Sequence, residues 1–204
     1  NTATDHLIAH LGRERAEAAM ARLHGAPEVN RPFLTTKELF QIKLGGDDAL
    51  IGEWARATED ERRAMLAPGG RVASREPSLA LAAFWTAPRG IDVAEWFASA
   101  FECCRVMAEL RTIELGLPEG PEREGLSRAL RSNPGMAFDS GVWRSVGFKG
   151  GSEPGVLNLT WLLERHDGRW FCLSMGVNDH EANPDLNGVL ALAARAAELL
   201  AREE

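Results

Sequence analysis

The sequence has few cysteines, no long apolar run and no excess of positive charge. Its three cysteines, two of them adjacent at Cys103 and Cys104, make no disulfide framework, which favours a reducing cytoplasm. No run approaches the roughly 18 apolar residues of a membrane span. The net charge of -7 argues against nucleic acid or an anionic membrane as a partner. These absences argue against a secreted, a membrane-spanning or a nucleic-acid-binding protein.

The first residues, Asn-Thr-Ala-Thr-Asp at 1–5, contain neither an initiator methionine nor a signal peptide. We therefore expect translation to begin upstream of Asn1. A length of 204 residues and a hydrophobic content of 45% suit one domain with a real core. We predict a single domain over 1–204, with a helical part over about 1–135 and strands plus a last helix over about 140–204.

Three capping boxes predict helix starts, because the first residue and a glutamate three positions later can satisfy each other's free backbone N–H groups. The boxes begin at Thr35, Thr58 and Asp92. We expect the third box to start the longest helix, which continues to Leu110. The stretch 116–125 carries Gly, Pro and charge, so it is predicted as a surface loop.

Three strands are predicted in the C-terminal third. The segments 142–148, 156–163 and 170–177 have alternating or strand-like composition and are separated by turn sequences. A last helix is expected over about 187–202. Helices followed by an antiparallel meander and a final helix form an α+β pattern, with the sheet flanked by helices. Because three strands are few for this length, we expect further strands upstream of the chain.

Lys149 is predicted at the end of the first strand, and Gly150 and Gly151 come directly after it. Glycine has no Cβ, so a ligand or another backbone can come close at these positions. A hydroxyl at Ser152 and a carboxylate at Glu153 complete the run before a Pro-Gly turn. In isolation, Lys149 has the ordinary interpretation of a solvated strand-end lysine.

The run from Lys149 to Ser152 resembles the K-T-G element of the penicillin-recognising serine hydrolases. The opening at Asn1, with Thr, Ala and a predicted helix after it, resembles the asparagine of their S-D-N element and the residues next to it. Three segments, 30–40, 95–99 and 149–157, resemble those of class A β-lactamase-like hydrolases. This group includes the β-lactamase-like serine hydrolases of the clavulanic-acid pathway. The resemblance covers nearly the whole chain and implies a β-lactamase/transpeptidase-like fold.

The resemblance implies acyl transfer from a β-lactam, amide or ester to a serine, and then hydrolysis. It makes the backbone N–H of Ser152 one of two donors to the oxyanion. It places Lys149 beside a substrate carboxylate that the Ser152 hydroxyl also binds, and the Asn1 amide on the amide carbonyl of the substrate. The implied substrate-binding residues are Gly150, Gly151, Ser152 and Glu153. A small molecule is the implied partner, with no cofactor and no metal.

The sequence departs from the family in three ways. No Ser is followed by Lys three positions later, and Ser145 comes nearest, four residues before Lys149. The S-x-x-K nucleophile and its helix are therefore expected upstream or on a separate piece. The deacylating glutamate has only Glu28 as a candidate, in a loop that is too short, and Gly150 lacks the threonine hydroxyl of K-T-G. These departures predict weak β-lactamase turnover and an esterase-like or biosynthetic role.

A second hypothesis is a catalytically silent binding or structural domain that keeps the fold without the nucleophile.

Among other candidates, His6 and His10 lie four residues apart on one predicted helix, which is metal-ligand spacing. Asp5 and His24 do not complete a ligand shell, so we expect these histidines to have surface or structural roles. Packing or turn roles are expected for the remaining candidates: Cys103, Cys104, Asp179 and His180.

Overall fold

The computed structural model describes residues 2–83 and 85–203. The chain divides into two compact units, which we call the helical unit and the sheet unit. The helical unit comprises Asn1–Phe97 with His180–Ala182, and the sheet unit comprises Ala98–Asp179 with Asn183–Glu204. The α+β class is confirmed by a three-stranded antiparallel sheet and flanking helices. The single β-lactamase-like domain stays a prediction.

The helical unit is built from six α-helices and one 3-10 helix in the described part of the chain. They are α1 Thr2–Leu11, α2 Arg13–Leu23, the 3-10 helix Pro27–Asn30, α3 Thr36–Leu44, α4 Asp48–Arg56, α5 Glu59–Leu66 and α6 Leu79–Ala83. The buried core of this unit is apolar: Leu34, Leu39, Ile42, Leu50, Trp54, Val72 and Ala94. The predicted capping boxes at Thr35 and Thr58 are confirmed, with Glu38 and Glu61 as their partners.

The sheet unit contains α7 Ala100–Gly116, α8 Pro121–Arg131, β1 Trp143–Glu153, β2 Val156–Arg165, β3 Trp170–Asn178 and α9 Leu186–Leu200. Two predictions are wrong here. The longest helix starts after Ser99, whose capping box with Glu102 replaces the one predicted at Asp92. The stretch 116–125 is not all loop, because α8 begins at Pro121, in a first turn that needs no proline N–H. None of the described helices has the length and apolar character needed to cross a membrane.

The strands form the predicted antiparallel meander in the order β1-β2-β3. A two-residue turn at Pro154 and Gly155 joins β1 to β2, and Gly155 has a φ of 83°, which suits glycine. From Ser145 to Glu153, β1 stays in register with β2 without a break. The prediction that Lys149 ends the first strand is therefore wrong, because β1 continues beyond it through the glycines.

The two faces of the sheet pack against different helices. Side chains on alternate residues of a strand point to opposite faces. The odd-numbered residues of β2 lie on the face covered by α9. The buried residues of this cluster are Trp143, Leu157, Leu159, Trp161, Leu163, Ala193 and Ala197. On the other face, Leu162 of β2 packs with Met107 of α7 and Leu130 of α8. Each functional side chain on a strand can therefore be assigned to one face.

Candidate functional site

Lys149 lies in the interior of β1, on the sheet face that packs against α7 and α8. Its side chain is exposed, and its Nζ donates to the carbonyl of Gly150. Lys149 pairs in register with Thr160, which pairs with Ser174 on β3. Thr160 is only 3% exposed, and its hydroxyl lies 2.8 Å from the Ser174 hydroxyl. The lysine is thus the exposed end of a polar row that crosses the three strands.

The backbone of Ser152 points away from β2. The N–H of Asp179 donates to the carbonyl of Gly155 over 2.7 Å, and this bond flanks the pair formed by Val156 and Asn178. Val156 therefore directs its own N–H and C=O toward β1, where its partner is Glu153. Because these directions alternate along a strand, the next residue back, Ser152, directs its N–H and C=O to the side away from β2.

We call this side of β1, at residues 150–152, the outer edge. In the described part of the chain, β2 is the only strand that pairs with β1, so the Ser152 N–H has no strand partner there. The carbonyl of Gly150 points to the same side by the same alternation, which is why the Lys149 ammonium can reach it. The outer edge therefore combines outward backbone N–H groups with one cation.

The hydroxyl of Ser152 is on the other face of the sheet from the Lys149 side chain. The two residues are three positions apart on a regular strand, and Ser152 pairs with Leu157 on the face of α9. The predicted sharing of one substrate carboxylate by these two side chains is not supported by this geometry. Glu153 is on the lysine face and is half-buried. The backbone N–H of Ser152, and not its hydroxyl, therefore lies at the same strand edge as the Lys149 ammonium.

Gly150 and Gly151 differ in the space that is available for a side chain. A Cβ on Gly150 would lie 2.7 Å from the Phe148 ring and 3.3 Å from Leu159, so a side chain there would collide with buried groups. A Cβ on Gly151 would have nothing within 4 Å. Gly150 is therefore required by packing, whereas Gly151 leaves free space beside the outer edge. The threonine that K-T-G has at this position does not fit while the ring stays in place.

The Phe148 ring is partly buried in the apolar face. Its centroid lies 5.3 Å from that of Trp161, which is fully buried. The Trp161 indole N–H donates to the carbonyl of Pro134 over 2.9 Å. A Cβ on Gly135 would also meet the Phe148 ring, at 2.7 Å. The ring thus occupies the space of two missing side chains and supports β1 beneath the outer edge.

Three further sequence candidates for catalysis are Asn1, Glu28 and Ser145. Asn1 lies outside the described residues. Glu28 is exposed in the 3-10 helix of the helical unit, and its carbonyl accepts from the Arg31 N–H. Ser145 lies in β1, and its hydroxyl accepts from Arg131 over 2.6 Å. Neither Glu28 nor Ser145 therefore gains a catalytic partner from the contacts seen here.

The histidines and Asp5 lie in the helical unit. His6 and His10 are exposed on α1, while both Asp5 carboxylate oxygens accept backbone N–H groups at the start of α3. The His24 ring nitrogen lies 2.8 Å from the carbonyl of Phe97. Within residues 2–83 and 85–203, no group of three or more His, Cys, Asp and Glu side chains is arranged to hold a metal. Asp5 and His24 thus hold the backbone in place.

The cysteines are half-buried in the sheet unit. Cys172 on β3 packs beside Leu162 in the cluster that α7 and α8 cover. Burial raises the pKa of the Cys172 thiol, and a hydrogen bond with Cys104 adds to this effect. A raised pKa disfavours the reactive thiolate at neutral pH. The position of Cys104 and Cys172 is therefore that of core thiols.

A buried ionic network between α7, α8 and β1 is absent from the sequence-based predictions. Arg131 donates to both carboxylate oxygens of Glu114, over 2.6 and 2.8 Å, and also to Ser127 and Ser145. Glu114 is only 6% exposed. The hydrogen bonds from Arg131 hold the pKa of the Glu114 carboxyl below its ordinary value. The sequence signal for this network is a glutamate, Glu114, on the buried side of α7.

Comparison of the chain with models of known protein families gives no match, and comparison with curated proteins gives none either. The contacts described above are therefore the basis for assigning a function. They define two regions of the sheet unit: the outer edge around Lys149 and the charged network around Arg131.

Proposed function

We propose that the chain contributes one wall of the active site of a class A β-lactamase-like serine hydrolase. The observation that carries the proposal is the outward backbone N–H of Ser152, on the same strand edge as the Lys149 ammonium. A β-lactamase-like arrangement of the whole domain, with further strands beside those described, is part of the proposal.

The outer edge can stabilise the transition state of acyl transfer. A serine oxygen attacks the carbonyl of a β-lactam, amide or ester, and the carbonyl oxygen becomes an oxyanion that accepts from backbone N–H groups. The Ser152 N–H supplies one donor at the edge of β1. Lys149 adds positive charge beside it, which favours an anionic substrate and an oxyanion. The free space at Gly151 lets the substrate approach the strand.

The nucleophile must come from residues outside these 204, because no Ser is followed by Lys three positions later. Asn1 is proposed as the residue that binds the amide carbonyl of the substrate. Glu28, the one candidate for a deacylating base, is exposed in the helical unit. Slow hydrolysis of the acyl-enzyme is therefore proposed, which means weak β-lactamase turnover and a slow esterase or biosynthetic acyl transfer.

The test is the intact mass of the protein purified from its natural source, before and after a fluorescent penicillin and a fluorophosphonate probe. We expect a single adduct that hydrolyses slowly. Lys149→Gln should slow acylation, while Lys37→Gln, which removes an exposed lysine of α3, should not. Ser152→Pro removes the outward N–H and should slow acylation by about 10²–10³-fold.

Absence of any adduct would contradict the proposal and favour a silent binding or structural domain. One contact agrees with that second hypothesis, because the Lys149 ammonium already donates to the Gly150 carbonyl of its own strand. Rapid penicillin turnover would instead retain the hydrolase class and contradict the proposed slow deacylation.

A further inference from the structure

A cleft of about 1040 Å³ lies in the sheet unit among α7, α8, the start of β1 and the turn between β2 and β3. We call it the arginine cleft, because five arginines line it: Arg111, Arg123, Arg128, Arg131 and Arg144. It includes neither Lys149 nor Ser152, so it is independent of the proposed hydrolase site. Its size is just above the upper end of the usual range of small-molecule sites, which is roughly 300–1,000 Å³.

Two of the five arginines are paired with buried carboxylates. Arg131 is bonded to both oxygens of Glu114, and Arg144 forms an ion pair with Glu164. Glu114 and Glu164 are 6% and 5% exposed, and both line the cleft beside their arginines. These pairs are part of its walls and leave its charge to the other arginines.

The other three arginines, Arg111, Arg123 and Arg128, form no ion pair with any carboxylate of the described residues. Arg128 lies one helical turn after Glu124, a spacing that often gives an ion pair, yet none is formed. Glu119 and Glu124 also line the cleft, but both are exposed, whereas Arg111 and Arg123 are half-buried. Arg111 and Arg123 are therefore less accessible to solvent than these two anions, while Arg128 is exposed as they are.

Arg111 is fixed in place and has an unused donor. Its guanidinium carbon lies 4.1 Å from the centroid of the Trp170 ring, which also lines the cleft. The Arg111 Nε is buried and donates to no acceptor in the described part of the chain. Buried N–H groups without an acceptor are uncommon in folded proteins. A donor of this kind in a lining residue suggests that a ligand supplies the acceptor.

We propose that the arginine cleft binds the phosphate group of a small molecule. The planar guanidinium presents paired N–H donors that match two oxygens of a phosphate, and stacking on Trp170 fixes the plane of Arg111. Arg123 and Arg128 add charge from α8. A phosphomonoester, which carries one phosphate group, is the ligand class that we propose for this cleft.

The test is calorimetric titration of the full chain with inorganic phosphate, with AMP and with uncharged adenosine. We expect saturable one-to-one binding of AMP and none of adenosine. Arg111→Gln and Arg128→Gln should each weaken the affinity by about tenfold or more, which is the effect of losing one charge-assisted contact. The matched control is Arg56→Gln, because Arg56 is exposed in the helical unit and has no ion pair with the described residues.

AMP binding that exceeds phosphate binding supports an organic phosphomonoester, and equal binding supports the free ion as the ligand. Absence of saturable binding of either probe up to about 10 mM would overturn the proposal, since weaker binding has no specificity. Unchanged affinity in both arginine variants would overturn it as well. Arg128 is exposed, so Arg128→Gln keeps the test valid even where Arg111→Gln does not fold.

Discussion

The two ends of β1 present binding groups in different ways. Near its end, the outer edge offers the backbone N–H of Ser152, whose direction is fixed by the pairing of β1 with β2. Near its start, Arg144 and Ser145 belong to the arginine cleft, where the groups are side chains held by buried ion pairs. The direction of a backbone N–H stays the same in most substitutions, whereas a side-chain network loses contacts when any one partner is replaced. The two regions should therefore respond differently to mutation.

The largest expected effect is in the network of the cleft. Arg131→Met leaves the buried Glu114 carboxylate without its partner, so we expect a loss of about 4 kcal/mol in the free energy of unfolding. The control is Arg195→Met, which breaks an exposed ion pair with Glu198 on α9 and should cost less than about 0.5 kcal/mol. Urea unfolding measures both, and similar losses in the two variants would contradict the role of the buried pair.

Proline substitutions test the backbone directions at the outer edge. Gly151→Pro removes an N–H that points to β2, and Ser152→Pro removes the one that points away. We expect Gly151→Pro to lower the free energy of unfolding by about 2 kcal/mol more than Ser152→Pro, because it leaves a strand acceptor unpaired. A larger loss for Ser152→Pro in urea unfolding would reverse the assigned directions and remove the main support for the oxyanion donor.

A third variant tests the packing beneath the edge. Gly150→Thr introduces the threonine of the K-T-G pattern but places its Cβ against the Phe148 ring, so we expect a loss of about 2 kcal/mol in the free energy of unfolding, measured by heat or urea. Gly151→Ala is the matched control, since a Cβ there meets nothing within 4 Å. A neutral Gly150→Thr would show that the ring moves aside easily.

The smallest expected effect is on how steeply the free energy of unfolding changes with pH. The Glu114 pKa is lowered in the folded state from an ordinary value of 4.5, chiefly by the hydrogen bonds from Arg131. Its contribution to stability is therefore complete above about pH 5.5 and is lost as the pH falls through 4.5 toward the folded pKa. In Glu114→Gln the free energy of unfolding should fall less steeply as the pH is lowered. The slopes should differ by at most about 1.4 kcal/mol per pH unit, which corresponds to the uptake of one proton. Parallel curves of unfolding free energy between pH 3 and 5 would contradict this assignment.

The strands and several helix starts follow from local sequence, and the errors have tertiary causes. The box at Asp92 has the right spacing, but Glu95 forms an ion pair with the buried Lys43, so its carboxylate is not available to cap a helix. The Lys149 run can be seen in the sequence as a candidate because its residues are contiguous. The arginine cleft cannot, because Arg111, Arg131 and Ser145 are distant in sequence and come together only in the packed sheet unit.

The packing of Phe148 couples three positions that mutation must change together. Its ring fills the side-chain space of both Gly150 and Gly135, so either glycine can gain a side chain only when the ring moves or a smaller residue replaces it. A route from Lys-Gly-Gly to Lys-Thr-Gly that begins with a smaller residue at 148 opens a cavity beside Trp161. Selection for a hydroxyl at 150 would thus meet a destabilised intermediate, and directed evolution should start from libraries that vary 135, 148 and 150 jointly.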